Sequence, residues 1–163
     1  MTRVYIGLGS NMGDRVENLH QALTRLDTLF QLDQLSPVYE TPPKYVEDQS
    51  PFLNMVVSGE TSLNPLQLLE TLKAFEADIG RVPSAERYGP RVIDLDILFF
   101  GDAVVARPEL SIPHPLMSER EFVLRPLADI AAGFRHPATG QTVVQMLAAL
   151  EGESEASLFV IDV

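Results

Sequence analysis

The chain has 163 residues, of which 45% are hydrophobic and 21% are charged. This composition excludes a disordered or collagen-like chain. The length predicts one domain over residues 1–163 whose core needs no disulfide or metal to hold it. The sequence has no cysteine, which excludes disulfides, zinc–thiolate sites and a cysteine nucleophile, and favours a reducing compartment.

The charge is strongly negative. Twelve Lys and Arg stand against 23 Asp and Glu, giving a formal net charge of -11, which predicts no binding to nucleic acid or anionic membranes. The apolar run from Val4 to Leu8 is too short for a signal sequence or a membrane span, so we expect a soluble, cytoplasmic protein. One stretch is basic: Arg81, Arg87 and Arg91 lie close together in the sequence, and predict where an anionic ligand docks.

The first elements are a strand and a helix. Residues Thr2 to Gly9 are rich in β-branched and aromatic types and predict a strand, with Gly7 and Gly9 allowing a tight turn into the next element. Asp14 is a suitable cap for the helix that follows. The three- and four-residue spacing of apolar residues predicts its buried stripe, formed by Val16, Leu19, Leu23, Leu26 and Phe30.

Two strands and a second helix come next. We predict strands from Leu35 to Thr41 and from Phe52 to Ser62, separated by a polar, proline-containing surface loop. Asn64 and Pro65 predict the start of a helix that ends at Gly80. The apolar residues expected to face inward from this helix are Leu68, Leu72, Phe75 and Ile79.

An apolar strand interrupted by two acids ends near Gly101, after which several prolines divide the chain into short pieces. A late helix is predicted from Thr142 to Leu150 and an edge strand from Leu158 to Val163. The order strand, helix, strand, strand, helix, strand over residues 2–101 predicts an α+β fold with a ferredoxin-like split βαβ core. Its antiparallel sheet would form the middle of a three-layer αβα sandwich, with the tail covering the second face.

Asp94 and Asp96 are the sharpest chemical feature. Because side chains alternate along a strand, both carboxylates point one way, while the apolar residues Ile93, Leu95, Ile97 and Phe99 point the other way. Neighbouring carboxylates repel unless a cation neutralises them, and this hard oxygen pair suits Mg²⁺. The alternative interpretation is a solvated face of an edge strand.

The basic stretch and the acids together have the ingredients for phosphoryl transfer, in which Arg groups and Mg²⁺ hold phosphate oxygens. The alternative is that the Arg side chains pair with surface acids. Glu76 borders the buried stripe of the second helix. It is either a solvated acid or a group that orients an Arg of the basic stretch or a metal-bound water. His114 is held between Pro113 and Pro115, with a cation nearby in sequence.

Several motifs, in order along nearly the whole chain, resemble those of the 6-hydroxymethyl-7,8-dihydropterin pyrophosphokinases of folate biosynthesis. They are GLGSN at 7–11, TPP at 41–43, FLN at 52–54, GPRVIDLDILFFG at 89–101, PHP at 113–115 and REFVLRPLADIA at 120–131. The resemblance implies a ferredoxin-like αβα fold. It also implies transfer of the terminal diphosphate of ATP to the hydroxymethyl oxygen of the pterin, with release of AMP.

The resemblance also assigns residues. Asp94 and Asp96 match the pair that binds two Mg²⁺ ions along the ATP phosphates, and Arg81 and Arg91 complete the catalytic set. The residues that match ATP-binding positions are Arg87, Tyr88, Ile97, Ser111, His114 and Arg120. Those that match pterin-binding positions are Thr41, Pro42, Pro43, Phe52, Asn54 and Phe122, with the rings of Phe52 and Phe122 expected to sandwich the pterin.

The chain departs from the family pattern at a few positions: basic residues are common where it has Pro83 and Ser84, and an aromatic residue is common where it has Pro115. Two other functions stay open at this point. One is a nucleotidyltransferase that uses the same acid pair and metal. The other is a non-catalytic ferredoxin-like module that binds a small aromatic ligand or a metal.

Overall fold

The computed structural model describes residues 1–45, 48–81 and 90–159. No helix within these ranges is both long and apolar enough to cross a bilayer. In chain order the elements are β1 Thr2–Ser10, α1 Arg15–Leu29, β2 Gln31–Leu35, β3 Val38–Thr41, β4 Phe52–Thr61, α2 Pro65–Ile79, β5 Asp94–Phe100, β6 Val105–Arg107, β7 Leu110–Ile112, α3 Glu121–Ala131, α4 Val143–Ala148 and β8 Ser157–Phe159.

The main sheet has the strand order β5-β1-β4-β3-β8, and β2 also pairs with β4. All of these pairings are antiparallel. The strands β6 and β7 form a separate two-stranded sheet. The order of β1, α1, β2–β3, β4, α2 and β5 is that of a split βαβ unit, which confirms the predicted ferredoxin-like α+β fold.

Helices cover both faces of the sheet. One hydrophobic cluster joins the sheet to α1 and α2 through residues such as Leu8, Leu19 and Leu68. A second cluster joins the opposite face to α3 and α4 through residues such as Val56, Leu124, Leu127 and Met146. The predicted three-layer αβα arrangement is therefore confirmed.

The helix ends follow local chemistry. The side chain of Asp14 accepts the Glu17 N–H (3.1 Å), and Asn64 forms a capping box with Gln67 directly before Pro65. Gly80 ends α2 with φ 121°, a conformation that favours glycine. The predicted starts of both helices are confirmed. The predicted late helix is also present, although it ends at Ala148.

The predicted strand from Leu35 to Thr41 is wrong as a single element. Ser36 and Pro37 interrupt it, and the side-chain oxygen of Ser36 accepts the Val56 N–H (2.9 Å). The segment before the interruption belongs to β2, which begins at Gln31. At the other edge of β3, strand β8 confirms a late edge strand at Ser157–Phe159, while the rest of that prediction, 160–163, lies outside the described residues.

A β-bulge breaks the alternation of β5. Tyr5 of β1 pairs with Phe99 and the next residue, Ile6, pairs with Ile97, so Leu98 is an extra residue on β5. As a result Leu98 and Phe99 both join the cluster under α3, and Phe100 joins the other one. The prediction that Phe99 shares a face with Ile97 is wrong, because the bulge reverses the alternation after Leu98.

Candidate active site

The floor of the candidate site is formed by β5, β1 and β4 on the face covered by α3. In one row across the strands, Gly9 pairs with Asp94 on one side and with Asn54 on the other. In the next row, Gly7 lies between Asp96 and Val56. The two acids therefore share one face of the sheet, as the alternation predicts.

Gly7 and Gly9 lie inside β1, so the prediction that they form a turn is wrong: the strand continues through Ser10. Their lack of side chains leaves bare backbone between the acids and Asn54. A Cβ at Gly9 would lie 3.0 Å from Asn54 Oδ1, closer than most real contacts, whereas a Cβ at Gly7 would meet Leu98 at an ordinary 3.5 Å. The glycine at position 9 therefore lets Asn54 lie directly against the floor, and a larger residue would displace the amide by a few tenths of an ångström.

A cavity of about 320 Å³ stands on this floor. It brings together residues from all three predicted sets, the catalytic, the ATP-binding and the pterin-binding residues. The predicted site residues that line it are Arg81, Arg91, Asp94, Asp96, His114, Arg120, Thr41, Pro42, Phe52, Asn54 and Phe122.

At one end of the cavity, Arg81 bridges an acid on α2, Glu76, and an acid on β5, Asp94. Its Nη1 donates to Glu76 (2.7 Å) and to Asp94 (2.8 Å). The same Glu76 oxygen accepts the backbone N–H of Leu95 (2.8 Å). Burial raises the pKa of Glu76, an effect partly offset by the Leu95 N–H and by Arg81. Of the two interpretations of Glu76, the structure supports the one in which it orients an arginine.

Asp96 lies in a strongly negative, buried environment. Burial, followed by the charges of Asp94 and Glu76, raises its pKa well above the usual value, while the charges of Arg120 and Arg81 lower it. Asp94 and Asp96 face the cavity instead of an open edge of the sheet, although β5 ends the main sheet. The structure therefore does not support the interpretation of a solvated edge face.

Asn11 fastens the segment that carries Arg91. Its backbone N–H donates to the Arg91 carbonyl (3.0 Å), and its side-chain oxygen accepts the Arg91 N–H (2.7 Å). Its amide nitrogen donates to Gln49 Oε1 (2.9 Å) and to the Ser50 carbonyl (3.0 Å). Asn11 is the last residue of the GLGSN motif, and nothing in the sequence indicated its role. Its importance lies in contacts with residues about 40 and 80 positions away.

At the other end of the cavity, β3 and β4 present the predicted pterin-binding residues. Thr41 pairs with Phe52, and the Asn54 amide donates to the Thr41 hydroxyl (2.7 Å). Both Thr41 and Asn54 are buried, which fixes the amide in one orientation. Phe122, near the start of α3, lines the same space.

Arg120 lies between two aromatic rings. Its guanidinium carbon is 5.2 Å from the ring centre of Tyr45 and 5.4 Å from that of Phe122, within the range of cation–π attraction. Its Nε also donates to the Tyr45 hydroxyl (3.2 Å), which in turn donates to Glu119 (2.9 Å). Tyr45 is a cavity residue that sequence analysis missed, and its only signal was an aromatic residue in a polar loop.

His114 is fixed by the backbone around it. Its N–H donates to the Leu98 carbonyl (3.1 Å), and its Nδ1 accepts the Leu116 N–H (3.3 Å). Burial, together with the nearby charge of Arg120, lowers the pKa of His114 to about 4. The ring is therefore neutral at pH 7. With Nδ1 acting as an acceptor, Nε2 carries the proton and is the ring's remaining hydrogen-bond donor.

Five predicted site residues do not line this cavity or cannot be placed. Pro43 is outside its lining, Ile97 is buried in the cluster under α1 and α2, and Ser111 is exposed on β7. Arg87 and Tyr88 lie outside the described residues, as do Pro83 and Ser84.

The charge of the lining contrasts with that of the whole chain. Among the described residues, four cationic side chains face the cavity together with two acids; the cations are Lys44, Arg81, Arg91 and Arg120. The full sequence, by contrast, has a net charge of -11. Arginines beside paired carboxylates, in a cavity on an open α+β sheet, define a site of the phosphoryl-transfer class.

Comparison with known proteins shows to which family within this class the chain belongs. Residues 5–132 match the family described as 7,8-dihydro-6-hydroxymethylpterin-pyrophosphokinase (HPPK). The 2-amino-4-hydroxy-6-hydroxymethyldihydropteridine pyrophosphokinase of Bacillus subtilis is 46% identical over 137 residues, which cover 83% of this chain and 81% of that protein. The protein of the same name from Pseudomonas aeruginosa is 43% identical over 149 residues, covering 90% and 91%. The chain belongs to the HPPK family.

Larger relatives also contain this region. The folic acid synthesis protein FOL1 of Dictyostelium discoideum is 42% identical over 143 residues, but the chain spans only 22% of its length. The crystal structure of Plasmodium falciparum HPPK-DHPS wild type with pteroate superimposes with a TM-score of 0.76 at 18% identity, covering 90% of this chain and 44% of that one. This likeness shows the fold.

Proposed function

We propose that this chain transfers the terminal diphosphate of ATP to the hydroxymethyl oxygen of 6-hydroxymethyl-7,8-dihydropterin. The products are AMP and the pterin diphosphate. The proposal joins family membership, which indicates the activity, to the geometry of the cavity. The substrates, the metal and the roles of individual residues are part of the proposal.

The observation that carries it is the row of paired residues across the floor. Asp94, Gly9 and Asn54 are neighbours on adjacent strands. This register supports a phosphate end and a pterin end separated by the width of one glycine-lined strand, about 5 Å on either side. Two substrates bound at these ends would have their reacting atoms next to each other, which is what in-line transfer between them requires.

At the phosphate end, Arg81, Arg91 and Arg120 supply positive charge that opposes the charge building up on the transferred group. Arg81 is oriented by Glu76 before any substrate binds. The neutral His114 donates a hydrogen bond to a phosphate oxygen through Nε2. Arg87 and Tyr88 are proposed to close over ATP, and Ile97 and Ser111 to contact the adenosine, on the family resemblance alone.

The acidic pair fits Mg²⁺. The donors are two carboxylates with hard oxygens on one face of the sheet, and a cation there would favour the ionised form of Asp96 against the burial and neighbouring acids that raise its pKa. Within the described ranges, no cluster of three or more His, Asp or Glu side chains forms a closed metal cage. We therefore propose that Asp94 and Asp96 hold two Mg²⁺ ions together with ATP oxygens and water. When bound, the metal neutralises phosphate charge and polarises the group under attack.

At the pterin end, the fixed amide of Asn54 and the adjoining backbone at Thr41, Pro42 and Pro43 would read the polar edge of the ring. Phe52 and Phe122 would stack on its faces, an arrangement worth about 0.5 to 1.5 kcal/mol for each pair beyond area burial. A flat heterocycle with one polar edge matches both kinds of contact.

The experiment is an assay with ATP, the hydroxymethyl pterin and Mg²⁺. We expect AMP and pterin diphosphate in a one-to-one ratio, and no product once the metal is removed by chelation. Asp96→Asn should lower kcat by about a hundred- to a thousandfold, while pterin binding followed by fluorescence changes little. Asp102→Asn, at an exposed aspartate in the turn after β5, is the matched control and should keep the wild-type rate.

Other outcomes would identify the alternatives. Release of free diphosphate, with AMP attached to the acceptor, would indicate a nucleotidyltransferase. Binding of the pterin without turnover would indicate a non-catalytic module. An unchanged rate for Asp96→Asn would remove the metal assignment. A cytoplasmic site of action completes the proposal, in line with the cysteine-free sequence.

A further inference from the structure

Glu121 is the first residue of α3 and lies between Arg120 and Phe122, which both line the cavity. Its Oε1 accepts the backbone N–H groups of Glu155 (2.8 Å) and Ala156 (3.2 Å). Its other oxygen accepts a hydrogen bond from Arg125 (3.2 Å). One carboxylate therefore ties a segment more than 30 residues away to the start of α3.

The carboxylate is held in its charged form. Although burial alone would raise the pKa of Glu121, the hydrogen bonds from Ser154, Arg125 and the N–H groups of Glu155 and Ala156 together outweigh it, and the pKa is lowered. Charge-assisted hydrogen bonds of this kind are about twice as strong as neutral ones.

The tied segment continues directly into β8, which pairs with β3. Ser157 lies opposite Glu40, and its hydroxyl donates to the Glu40 carbonyl (3.4 Å). Glu40 immediately precedes Thr41, one of the residues at the pterin end. Residues 155–159 thus connect the start of α3 to the end of β3, the two elements that carry Phe122 and Thr41.

Residues 151–155, which lead into this segment, form an outer wall beside the pterin end. A second cavity of about 350 Å³ lies beside the first, and residues 151–155 line one side of it. The other side includes Thr41, Pro42, Lys44 and Phe122, which also line the first cavity. Residues 151–155 therefore face the outer surface of the pterin end across the second cavity.

We propose that Glu121 is a positioning residue for the pterin: by holding the backbone of Glu155 and Ala156, it fixes Phe122 and Thr41 relative to each other and keeps the outer wall of the pterin end in place. This inference rests on the proposed function of the cavity. It assigns Glu121 no contact with either substrate. The group it would help to hold is the flat pterin ring.

The test compares substitutions on both sides of the contact in the full chain. Glu121→Ala removes the acceptor, and Glu121→Gln keeps an acceptor oxygen without the charge. Glu155→Pro removes one N–H donor and leaves α3 untouched, whereas Glu155→Ala keeps that N–H and controls for loss of the Glu155 side chain. Glu17→Ala, at an exposed first-turn glutamate of α1, is the matched control.

We expect Glu121→Ala and Glu155→Pro to raise the pterin KM by about tenfold, the size expected for a lost charge-assisted hydrogen bond. The KM for ATP should stay within about twofold for Glu155→Pro, because this variant leaves Glu121 and its neighbour Arg120 unchanged. Glu121→Gln should recover part of the loss, and Glu17→Ala should match the wild type. Hydrogen exchange should become faster in 38–41 and 155–159 for the two damaging variants.

Detachment of 155–159 seen by hydrogen exchange, without a change in pterin KM, would overturn the inference. So would an equal rise in both KM values, which a general loss of structure would produce. If Glu121→Ala does not fold, the Glu155→Pro and Glu155→Ala pair decides the question. A wild-type chain that does not turn over the pterin would instead refute the proposed function itself.

Discussion

The carboxylate of Glu76 lies 2.7 Å from the guanidinium of Arg81, and the same arginine nitrogen lies 2.8 Å from Asp94. The left-handed Gly80 between them turns the chain back at the end of α2, which brings Arg81 towards the start of β5. A helix end, a turn and a strand are thus joined by one cation, and the site's first arginine is oriented without help from a ligand.

The Glu76 contact predicts a graded loss of stability. Glu76→Gln keeps an acceptor for the Leu95 N–H but removes the ion pair, so we expect the free energy of unfolding to fall by about 1 to 3 kcal/mol. Glu76→Ala leaves both Arg81 and the Leu95 N–H without this partner and should cost more, about 3 to 5 kcal/mol. Urea denaturation at pH 7 measures both values.

Glu70→Gln, on the exposed face of the same helix, is the control and should change the unfolding free energy by less than about 0.5 kcal/mol. Equal stability of the Glu76 and Glu70 variants would contradict the role assigned to Glu76.

His114 predicts a loss of stability in acid. Its pKa in the folded protein is about 4, below the unfolded value of 6.5, so the unfolded chain takes up the proton first as the pH falls. The stabilisation that the neutral His114 adds to the free energy of unfolding is therefore fully present above pH 6.5 and is lost as the pH falls towards 4. It amounts to at most about 3 kcal/mol. A histidine titration followed by NMR should give the low pKa directly.

Because carboxylates titrate in the same range, the matched experiment is His114→Gln. This variant should show a shallower fall in unfolding free energy between pH 7 and pH 5. An identical slope in the two proteins would mean that His114 has an ordinary pKa.

Gly9→Ala is expected to disturb the pterin end specifically. The added Cβ would lie 3.0 Å from Asn54 Oδ1, so the amide has to shift by a few tenths of an ångström. We expect a rise in pterin KM of about three- to tenfold, with a smaller change in the KM for ATP. Gly7→Ala, where the new carbon meets Leu98 at 3.5 Å, should affect the pterin KM less. A larger rise in the pterin KM for Gly7→Ala than for Gly9→Ala would contradict this account of the cavity floor.

Gly59→Ala is expected to weaken the sheet far from the cavity. A Cβ at Gly59 would lie 2.7 Å from the Gln31 carbonyl oxygen, and backbone cannot move aside as a side-chain tip does. The free energy of unfolding should fall by about 1 to 3 kcal/mol. Gly133→Ala, where nothing lies within 4 Å, is the control and should stay within about 0.5 kcal/mol of the wild type. Thermal and urea unfolding of both variants measure the difference.

The features that could be predicted from the sequence are those that depend on residues close together in the chain. The starts of α1 and α2 follow from caps next to them in the chain, and the common face of Asp94 and Asp96 follows from strand alternation. Strand β2 was missed because it is mostly polar and exposed, and only its pairing with β4 makes it a strand.

The parts of the site that could not be predicted depend on distant partners. Asn11 and Tyr45 acquire their positions from contacts with residues far along the chain, for which no spacing rule exists. Glu76 stayed undecided between two interpretations, because burial at the margin of a helix stripe depends on what packs against it. The bulge at Leu98 likewise exists only in the pairing of β5 with β1.

That extra residue allows β5 to place two consecutive side chains, Leu98 and Phe99, in the cluster under α3. Before Leu98 the strand supplies carboxylates to the cleft; after it, Phe99 enters the aromatic cluster with Tyr5 and Phe134. Deleting Leu98 would remove the bulge and restore regular alternation, so Phe99 and Phe100 would keep their sides, but the cluster under α3 would lose one of its fully buried side chains. Any redesign of the acidic ridge therefore has to keep a large apolar side chain at Leu98, which fills the cluster under α3 and lies beside Gly7 on the neighbouring strand.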